Sequence, residues 1–179
     1  PVAHSMSPAI FNACFGDQAM NRLYLPLWVA GGREGLFGVL DAVRARPWLG
    51  FRGLSVTLPH KQSALGYGLA NGGSVEPLAA RIGAVNTLIL GPDGTIDAYN
   101  TDYSGAMEAI TSMLKIGLAD LKGQSVAIVG AGGVARAIAA GLCDAGAKVR
   151  IYNRTVAKAQ ALADEFGCAF GSLDDLEEM

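Results

Sequence analysis

The stretch "SVAIVGAGGVARA", Ser125 to Ala137, decides the fold because it joins an apolar strand to a glycine-rich turn and a helix start. Gly130, Gly132 and Ala135 form the pattern G-x-G-x-x-A. A continuous apolar strand is typical of a parallel sheet that is covered on both faces. A glycine turn between such a strand and a helix is typical of dinucleotide-binding units. The stretch therefore predicts an α/β fold with a nucleotide site.

Each residue type in this turn has a physical reason. Gly130 permits the tight turn, Gly132 lets the backbone approach a pyrophosphate, and Ala135 allows the helix to pack closely on the strand. The helix N-terminus offers free N–H groups to the anion. The cofactor contacts predicted on the turn are Gly130, Ala131, Gly132, Gly133 and Val134. The alternative is a structural turn without a ligand, since the chain contains 24 glycines.

The end of the next strand, "KVRIYN", indicates which dinucleotide binds. An NAD site usually carries Asp or Glu about 20 residues past the glycines, where it binds the ribose 2′-hydroxyl. This chain has Asn153, Arg154 and Thr155 there, with Lys158 one turn later and no acid. Arginine suits a bidentate bond to a 2′-phosphate, which a carboxylate would repel. The sequence therefore predicts NADP, bound by these four residues; the alternative is a solvated arginine at a strand end.

A change in sequence character near Asn100 to Asp102 predicts two domains. Residues 1–101 are expected to form a substrate-binding α/β domain, and residues 102–179 the first half of a Rossmann-type NADP-binding domain. The predicted helices cover Pro8–Phe15, Arg33–Ala45, Glu76–Gly83, Asp102–Gly117, Gly133–Ala145 and Thr155–Phe166. The predicted strands cover Leu23–Val29, Phe51–Leu58, Ala84–Leu90, Thr95–Tyr99, Ser125–Gly130 and Lys148–Asn153. The turn "GPDG" between Ala84–Leu90 and Thr95–Tyr99 predicts that these two strands form a hairpin.

The composition is that of a folded protein. Apolar residues make up 51% of the 179 and charged residues 17%, which excludes a disordered chain. A net charge of −2 without a basic run argues against nucleic acid as the main partner. No apolar run approaches the roughly 18 residues of a membrane span, and no signal peptide is visible. We therefore expect a soluble, cytoplasmic protein that does not bind membranes.

The cysteines and histidines do not predict a metal site. Cys14, Cys143 and Cys168 are widely spaced and form no CxxC pair, so they are interpreted as reduced, small core residues. His4 and His60 are interpreted as structural hydrogen-bonding residues. No group of residues has the spacing of metal ligands, and no metal is expected.

Small polar groups in the first hundred residues predict a pocket for a polyhydroxylated substrate, because hydroxyls and amides can both donate and accept hydrogen bonds. Each has a structural alternative: Ser7 would be the N-cap of a helix that begins at Pro8, and Lys61 would be a solvated charge after a strand. The candidate residues are Ser5, Ser7, Thr57, Lys61, Asn86 and, at the domain junction, Asp102.

Taken in order, six blocks of this sequence resemble the shikimate dehydrogenase family, the 3-dehydroshikimate reductases of the aromatic amino-acid pathway. The blocks are "PVAHSMSP", "GLSVTLPHK", "IGAVNTL", "YNTDYSG", "GAGGVARA" and "NRT". The resemblance implies NADP-dependent, reversible reduction of 3-dehydroshikimate to shikimate. It implies that Lys61 and Asp102 are the catalytic pair. It also implies that Ser5, Ser7, Thr57, Asn86 and Asp102 bind the substrate's hydroxyls and carboxylate.

The sequence departs from the family pattern at several positions. Ser55 stands where single-function bacterial members usually have Asn, and here the chain is similar to the shikimate dehydrogenase half of plant bifunctional enzymes. Gln62 replaces a common Glu or Asp, and Phe11 a frequent His. These differences affect the expected substrate preference more than the reaction.

The resemblance also bears on the ends of the chain and on the alternatives to this function. Both ends are expected to be cut: the second half of the nucleotide sheet and the family's C-terminal substrate-binding segment are missing. A dehydratase domain fused ahead of residue 1 would fit the plant-like features. The alternatives are an NAD(P)-dependent quinate/shikimate dehydrogenase and a non-catalytic sensor module. The sequence does not indicate an oligomeric state.

Overall fold

The computed structural model describes residues 2 and 4–178, and side chains up to residue 176. Its helices are α1 Ser7–Asp17, α2 Gly32–Arg44, α3 Lys61–Ala70, α4 Pro77–Ile82, α5 Thr101–Leu114, α6 Gly133–Asp144 and α7 Val156–Phe166. Its strands are β1 Gly53–Ser55, β2 Ser74–Val75, β3 Thr87–Leu90, β4 Ile96–Tyr99, β5 Ser125–Val129, β6 Lys148–Tyr152 and β7 Ala169–Gly171. Short 3₁₀ helices cover Pro47–Leu49, Leu118–Leu121 and Leu173–Glu178. The chain forms two compact units, Pro1–Ala42 and Val43–Met179. The predicted α/β class is confirmed.

The first sheet has four strands in the order β1-β3-β4-β2. The predicted hairpin is confirmed: β3 and β4 are antiparallel, with Thr87 opposite Tyr99 and Leu90 opposite Ile96. Asp93 closes the turn, because its Oδ1 accepts hydrogen bonds from the N–H and hydroxyl of Thr95. Since Thr87 and Tyr99 are neighbours, the segments just before β3 and just after β4 lie at the same edge of the sheet.

The second sheet is parallel, in the order β5-β6-β7. Helices α6 and α7 and the inward side chains of the sheet share one core, whose members include Ile128, Val149 and Ile151. The strand β5 is buried only on that face, since Ile128 is buried and Val129 is 65% exposed. The expectation of a strand covered on both faces is therefore wrong for the described residues, because both crossover helices pack on one side.

Helix α5 packs against α6 through a close contact at a glycine. A Cβ atom added at Gly141 would lie 2.4 Å from the Tyr103 ring and 3.0 Å from Met107 Sδ. No side chain fits there without movement of the aromatic ring. The first turn of α5 and helix α6, which follows the glycine turn, thus pack as closely as a backbone without a side chain allows.

The predicted strand Leu23–Val29 is wrong: the structure, which describes all of these residues, assigns no strand there. The side chain of Asn12 occupies both backbone groups of Tyr24, accepting its N–H at 2.7 Å and donating to its C=O at 2.9 Å. Phe11 stacks on Tyr24 with ring centroids 4.9 Å apart. An amide side chain thus takes the place that a neighbouring strand would fill.

The predicted strand Phe51–Leu58 is shorter than expected, and the helix that follows it was missed. Beyond β1 the chain turns at Thr57, whose C=O accepts the N–H of His60 at 2.9 Å. Helix α3 then begins, although its sequence contains Gly66 and Gly68 and has no apolar periodicity. Tertiary packing overrides this weak propensity, because a Cβ at Gly68 would meet Val75 Cγ2 at 3.1 Å. The short strands β2 and β7 were also missed.

The interpretation of all three cysteines as core residues is wrong for Cys14, which is exposed. Cys143 and Cys168 are partly buried and pack against the core of the second sheet. Burial raises the pKa of the Cys143 thiol to about 11, with the neighbouring Cys168 as a further cause. Burial also raises the pKa of Cys168.

We expect alkylation at pH 8 to modify Cys14 well before the other two cysteines. Only the thiolate reacts, and a thiol with a pKa near 11 is about 0.1% ionised at that pH. Peptide mass spectrometry after timed iodoacetamide treatment measures the order. A Cys14→Ser variant should take up label only slowly, and fast labelling of Cys143 would contradict the burial.

Among the residues that the structure describes, no helix combines the length and the apolar character needed to cross a membrane.

Candidate active site

Lys61 is the first residue of α3, a position where the helix dipole disfavours a positive charge. The N-terminus of a helix carries partial positive charge, so a lysine there is electrostatically unfavourable. Its Nζ lies 2.5 Å from Asp102 Oδ2, and the two side chains are 15% and 24% exposed. A lysine held against its local preference by a half-buried carboxylate is more than a solvated charge. The predicted pair of Lys61 and Asp102 is brought together.

Asp102 lies in the first turn of α5, where a carboxylate is favoured. Its Oδ2 contacts Lys61, and its Oδ1 accepts a hydrogen bond of 2.9 Å from Asn86 Nδ2. Because both oxygens have partners on different segments, the rotation of the carboxylate is fixed. Lys61 Nζ has three N–H groups and needs one for Asp102, so two can donate to a ligand.

Asn86 is buried between α5 and the hairpin, with 9% exposure. Its Nδ2 donates to Asp102 Oδ1 and to Thr101 Oγ1, at 2.9 and 3.1 Å. Its Oδ1 accepts the N–H of Thr101 at 2.9 Å and the hydroxyl of Thr87 at 2.8 Å. The hydroxyl of Thr101 lies 3.2 Å from the same oxygen as a further donor. An amide has two N–H donors and two acceptor lone pairs, so these contacts use its whole capacity. Asn86 can bind a substrate only by exchanging one of them.

Backbone hydrogen bonds tie the same segments together. The C=O of Lys61 accepts the N–H of Val85 at 3.0 Å, and the C=O of Asn86 accepts the N–H of Val56 at 2.7 Å. The start of α3, the loop before β3 and the end of β1 therefore form one connected unit. Thr57 follows directly and is exposed, and among the described residues its side chain takes no hydrogen bond from this network.

Ser5 and Ser7 lie at the start of α1. The structure corrects the predicted cap: the N-cap position is Met6, and Ser7 is the first helical residue, before Pro8. The hydroxyl of Ser5 accepts the N–H of Ser7 at 3.3 Å, so Ser5 satisfies an N–H group that the helix leaves open. The predicted roles of both serines toward a substrate stay predictions.

The glycine turn has the geometry expected of it. Gly130 has a φ of +115°, which side-chain-bearing residues rarely adopt, and its N–H donates to the C=O of Tyr152 at 2.7 Å. Gly132 is extended, and a Cβ added there would meet no atom within 4 Å. Neither the backbone conformation nor the packing of the protein therefore requires a glycine at position 132. The space above Gly132 is therefore open to a ligand. Ala135 is buried at 9% exposure, as close packing requires.

A groove beside the turn is lined by six of the nine residues predicted to bind the cofactor; Gly130, Gly133 and Val134 are not part of its lining. Arg154 and Lys158 are exposed in it, and Asn153 Nδ2 donates to the C=O of Thr155 at 2.9 Å, which shapes the loop. Cations without a neighbouring carboxylate suit a 2′-phosphate, so the site fits NADP. The groove is lined by Ala131, Gly132, Asn153, Arg154, Thr155 and Lys158.

Asn100, Thr101 and Thr87 belong to this network, but they are not among the candidate residues that the sequence indicated. The side chain of Asn100 is the N-cap of α5, accepting the N–H of Asp102. The signal was available, because Asn followed by Thr-Asp at a helix start is a capping pattern. No group of three or more His, Cys, Asp or Glu side chains within the described residues could hold a metal ion.

Comparison with known proteins identifies the family. The model for the shikimate dehydrogenase substrate binding domain matches residues 1–88, and that for shikimate / quinate 5-dehydrogenase matches residues 112–179. The shikimate dehydrogenase (NADP(+)) of Methanothermobacter thermautotrophicus is 40% identical over 96% of this chain and 56% of its own length. That of Syntrophobacter fumaroxidans is 44% identical over 95% of this chain and 54% of its own length.

A solved structure gives the same result. Shikimate 5-dehydrogenase from Thermus thermophilus, in complex with NADP(H) and shikimate, is 38% identical. It matches with a TM-score of 0.77 over 99% of this chain and 62% of its own. The chain therefore spans little more than half the length of these relatives. Because both family models match in order and the two curated relatives are 40% and 44% identical, this chain belongs to the shikimate dehydrogenase family.

Proposed function

We propose that the protein containing this chain is an NADP-dependent shikimate dehydrogenase, which reversibly reduces 3-dehydroshikimate to shikimate in aromatic amino-acid biosynthesis. The observation that carries the proposal is the contact of 2.5 Å between Lys61 Nζ and Asp102 Oδ2, within a buried polar network. A half-buried lysine–carboxylate pair can hold and move a proton at a substrate hydroxyl.

The pair handles the proton while NADP, when bound, supplies hydride chemistry at its nicotinamide. Oxidation of shikimate releases a proton from the reacting hydroxyl, and reduction returns one to the carbonyl oxygen. Lys61 Nζ can donate to that oxygen, and Asp102 orients the ammonium group through Oδ2. Asn86 holds the other carboxylate oxygen, so the donor direction is set before the substrate arrives.

The remaining substrate contacts are proposed from the family resemblance. Thr57 and Asn86 would bind ring hydroxyls, and Ser5 and Ser7 the hydroxyls or carboxylate. Thr57 is exposed and immediately follows Val56, whose N–H is bonded to Asn86. For Asn86, binding exchanges a present hydrogen bond for one to the substrate, so its free-energy gain is the difference between the two.

An NADP-coupled absorbance assay with shikimate and with quinate tests the function. We expect NADP to be reduced in the presence of shikimate and more slowly in the presence of quinate. With NAD in place of NADP, the rate of shikimate oxidation should be lower still. Equal or faster turnover of quinate with NAD would establish the quinate/shikimate dehydrogenase instead, a reading that the second family model's description also allows. Tight binding of shikimate without turnover would establish a sensor module.

The cofactor preference is expected to depend on Arg154. Arg154→Ala removes the guanidinium that we propose bonds the 2′-phosphate, and a hydrogen bond to a charged group is worth about 1.5–3 kcal/mol. We expect the preference for NADP over NAD to narrow by about 10- to 100-fold, mainly through KM for NADP. Arg150→Ala, an exposed arginine on β6, is the control. An unchanged preference in Arg154→Ala would refute the assignment.

We also propose the domain division at residues 101 and 102, a cytoplasmic location and small molecules as the partners. The two sheets, at residues 53–99 and 125–171, lie on either side of the division in sequence. Limited proteolysis tests the boundary, and cell fractionation tests the location. The reading frame of the full gene shows whether a dehydratase is fused to the chain, and light scattering gives the oligomeric state.

A further inference from the structure

Asn100 is the most buried amide side chain within the described residues, with 3% exposure. A buried amide is costly unless its hydrogen bonds are satisfied, so its partners show why it is retained. It lies between the end of β4 and the start of α5, two residues before Asp102.

Three segments meet at Asn100. Its Oδ1 accepts the N–H of Asp102 at 3.0 Å, and its Nδ2 donates to the C=O of Ala84 at 3.0 Å. Its own N–H donates to Glu76 Oε2 at 3.1 Å. One side chain thus connects the helix turn that carries Asp102 with the loop that carries Asn86.

A helix cap alone does not explain this residue type. An N-cap needs only an acceptor, and Ser, Thr or Asp supply one as well as Asn does. The bond to Ala84 needs a donor on the same side chain, which Asp lacks. A carboxylate at this position would also face the carbonyl oxygen of Ala84 and lie near Asp102. Only the amide holds both segments at once.

We propose that Asn100 is a positioning residue that fixes Asn86 against Asp102, and through them the direction of Lys61. The inference rests on the proposed function, because it assigns Asn100 a part in that reaction. The Asn86 Nδ2–Asp102 Oδ1 contact of 2.9 Å depends on the loop and the helix keeping their spacing, and Asn100 sets that spacing. Asn100 itself acts only through these neighbours.

Two variants separate positioning from capping. Asn100→Asp is nearly isosteric and keeps an oxygen for the Asp102 N–H, but it loses the donor to the Ala84 C=O. Asn100→Ser keeps a capping hydroxyl, but one hydroxyl cannot supply both bonds. Because misplacement by about 1 Å can cost about 100-fold in rate, we expect kcat for shikimate oxidation to fall by about 10- to 100-fold in each. KM for NADP should stay within about two-fold.

Asn71→Asp is the matched control. Asn71 Nδ2 donates to the C=O of Tyr67 at 3.0 Å, the same kind of bond at the same distance, at the far end of α3 from Lys61. It should leave kcat unchanged. A folded Asn100→Asp or Asn100→Ser with kcat within about two-fold of the wild type would overturn the proposal. So would an equal loss in Asn71→Asp.

Amide hydrogen exchange distinguishes this proposal from the proposed function. Val85 and Asn86 donate to the carbonyls of Lys61 and Tyr99, and these amides should exchange faster in Asn100→Asp and Asn100→Ser but not in Asn71→Asp. If the wild-type protein does not oxidise shikimate, the proposed function fails, and this exchange pattern alone decides for or against the positioning role. Circular dichroism and thermal unfolding confirm that each variant is folded.

Discussion

Lys61→Ala is expected to lower kcat for shikimate oxidation by about 10²- to 10⁴-fold, the range that general acid–base catalysis contributes. The variant removes the ammonium group that lies 2.5 Å from Asp102 and leaves the cofactor groove intact. KM for NADP should therefore change little. Steady-state kinetics with both substrates, together with NADP binding followed by fluorescence, measure the two effects separately.

Two comparisons sharpen this experiment. Asp102→Asn should cause a loss of similar size, and the double variant should lose little more, because residues that act as a unit are not additive. Lys122→Ala changes an exposed lysine and should turn over normally. Near-normal turnover in Lys61→Ala would sink the assignment of the lysine.

Gly132→Ala is expected to weaken NADP binding by about 10- to 100-fold, the equivalent of losing a hydrogen bond to a charged group. The added methyl group meets no protein atom within 4 Å, and the backbone at Gly132 is extended, so the protein itself accommodates alanine. The space it fills is the one that we assign to the pyrophosphate. Isothermal titration with NADP measures the affinity. The free energy of unfolding, measured by thermal unfolding, should differ between Gly132→Ala and the wild type by less than about 1 kcal/mol.

Gly130→Ala and Gly38→Ala serve as comparisons for Gly132→Ala. Gly130 has a φ of +115°, so its alanine variant should lose stability as well as affinity. Gly38, inside α2, also has open space around it, and Gly38→Ala should keep the affinity and gain slightly in stability, because alanine is favoured over glycine inside a helix. If Gly132→Ala bound NADP as tightly as the wild type, the pyrophosphate would lie elsewhere.

The parts of the fold that sequence predicted correctly are those that local chemistry decides. The hairpin follows from the turn residues between β3 and β4, and the unit around β5, α6 and β6 follows from its glycines and apolar runs. Helix α3 could not be predicted, because close packing favours a glycine within it: a Cβ atom at Gly68 would lie 3.1 Å from Val75 and 3.4 Å from Ala98. The false strand at Leu23–Val29 had a strand-like pattern, but the Asn12 side chain binds the N–H and C=O of Tyr24, its second residue.

The candidate site shows the same division. The polar side chains and the family resemblance identified Lys61, Asn86 and Asp102 as candidates, and the structure brings all three together. Sequence could not show that the amide of Asn86 is fully used, or that Asn100 connects two segments, because both facts depend on partners distant in the chain. The family resemblance supplied the roles of the residues, and the hydrogen-bond network shows which residue holds which other residue in place.

The contact between Tyr103 and Gly141 has an evolutionary consequence. Tyr103 follows Asp102 in the chain, and Gly141 lies on the helix that begins at the cofactor turn. A larger residue at 141 requires the Tyr103 ring to move or residue 103 to become smaller, so we expect substitutions at these two positions to co-vary among relatives. Because Tyr103 follows Asp102, such substitutions would move the proposed proton-transfer pair relative to the proposed cofactor turn. These two positions are therefore targets for the directed evolution of substrate preference.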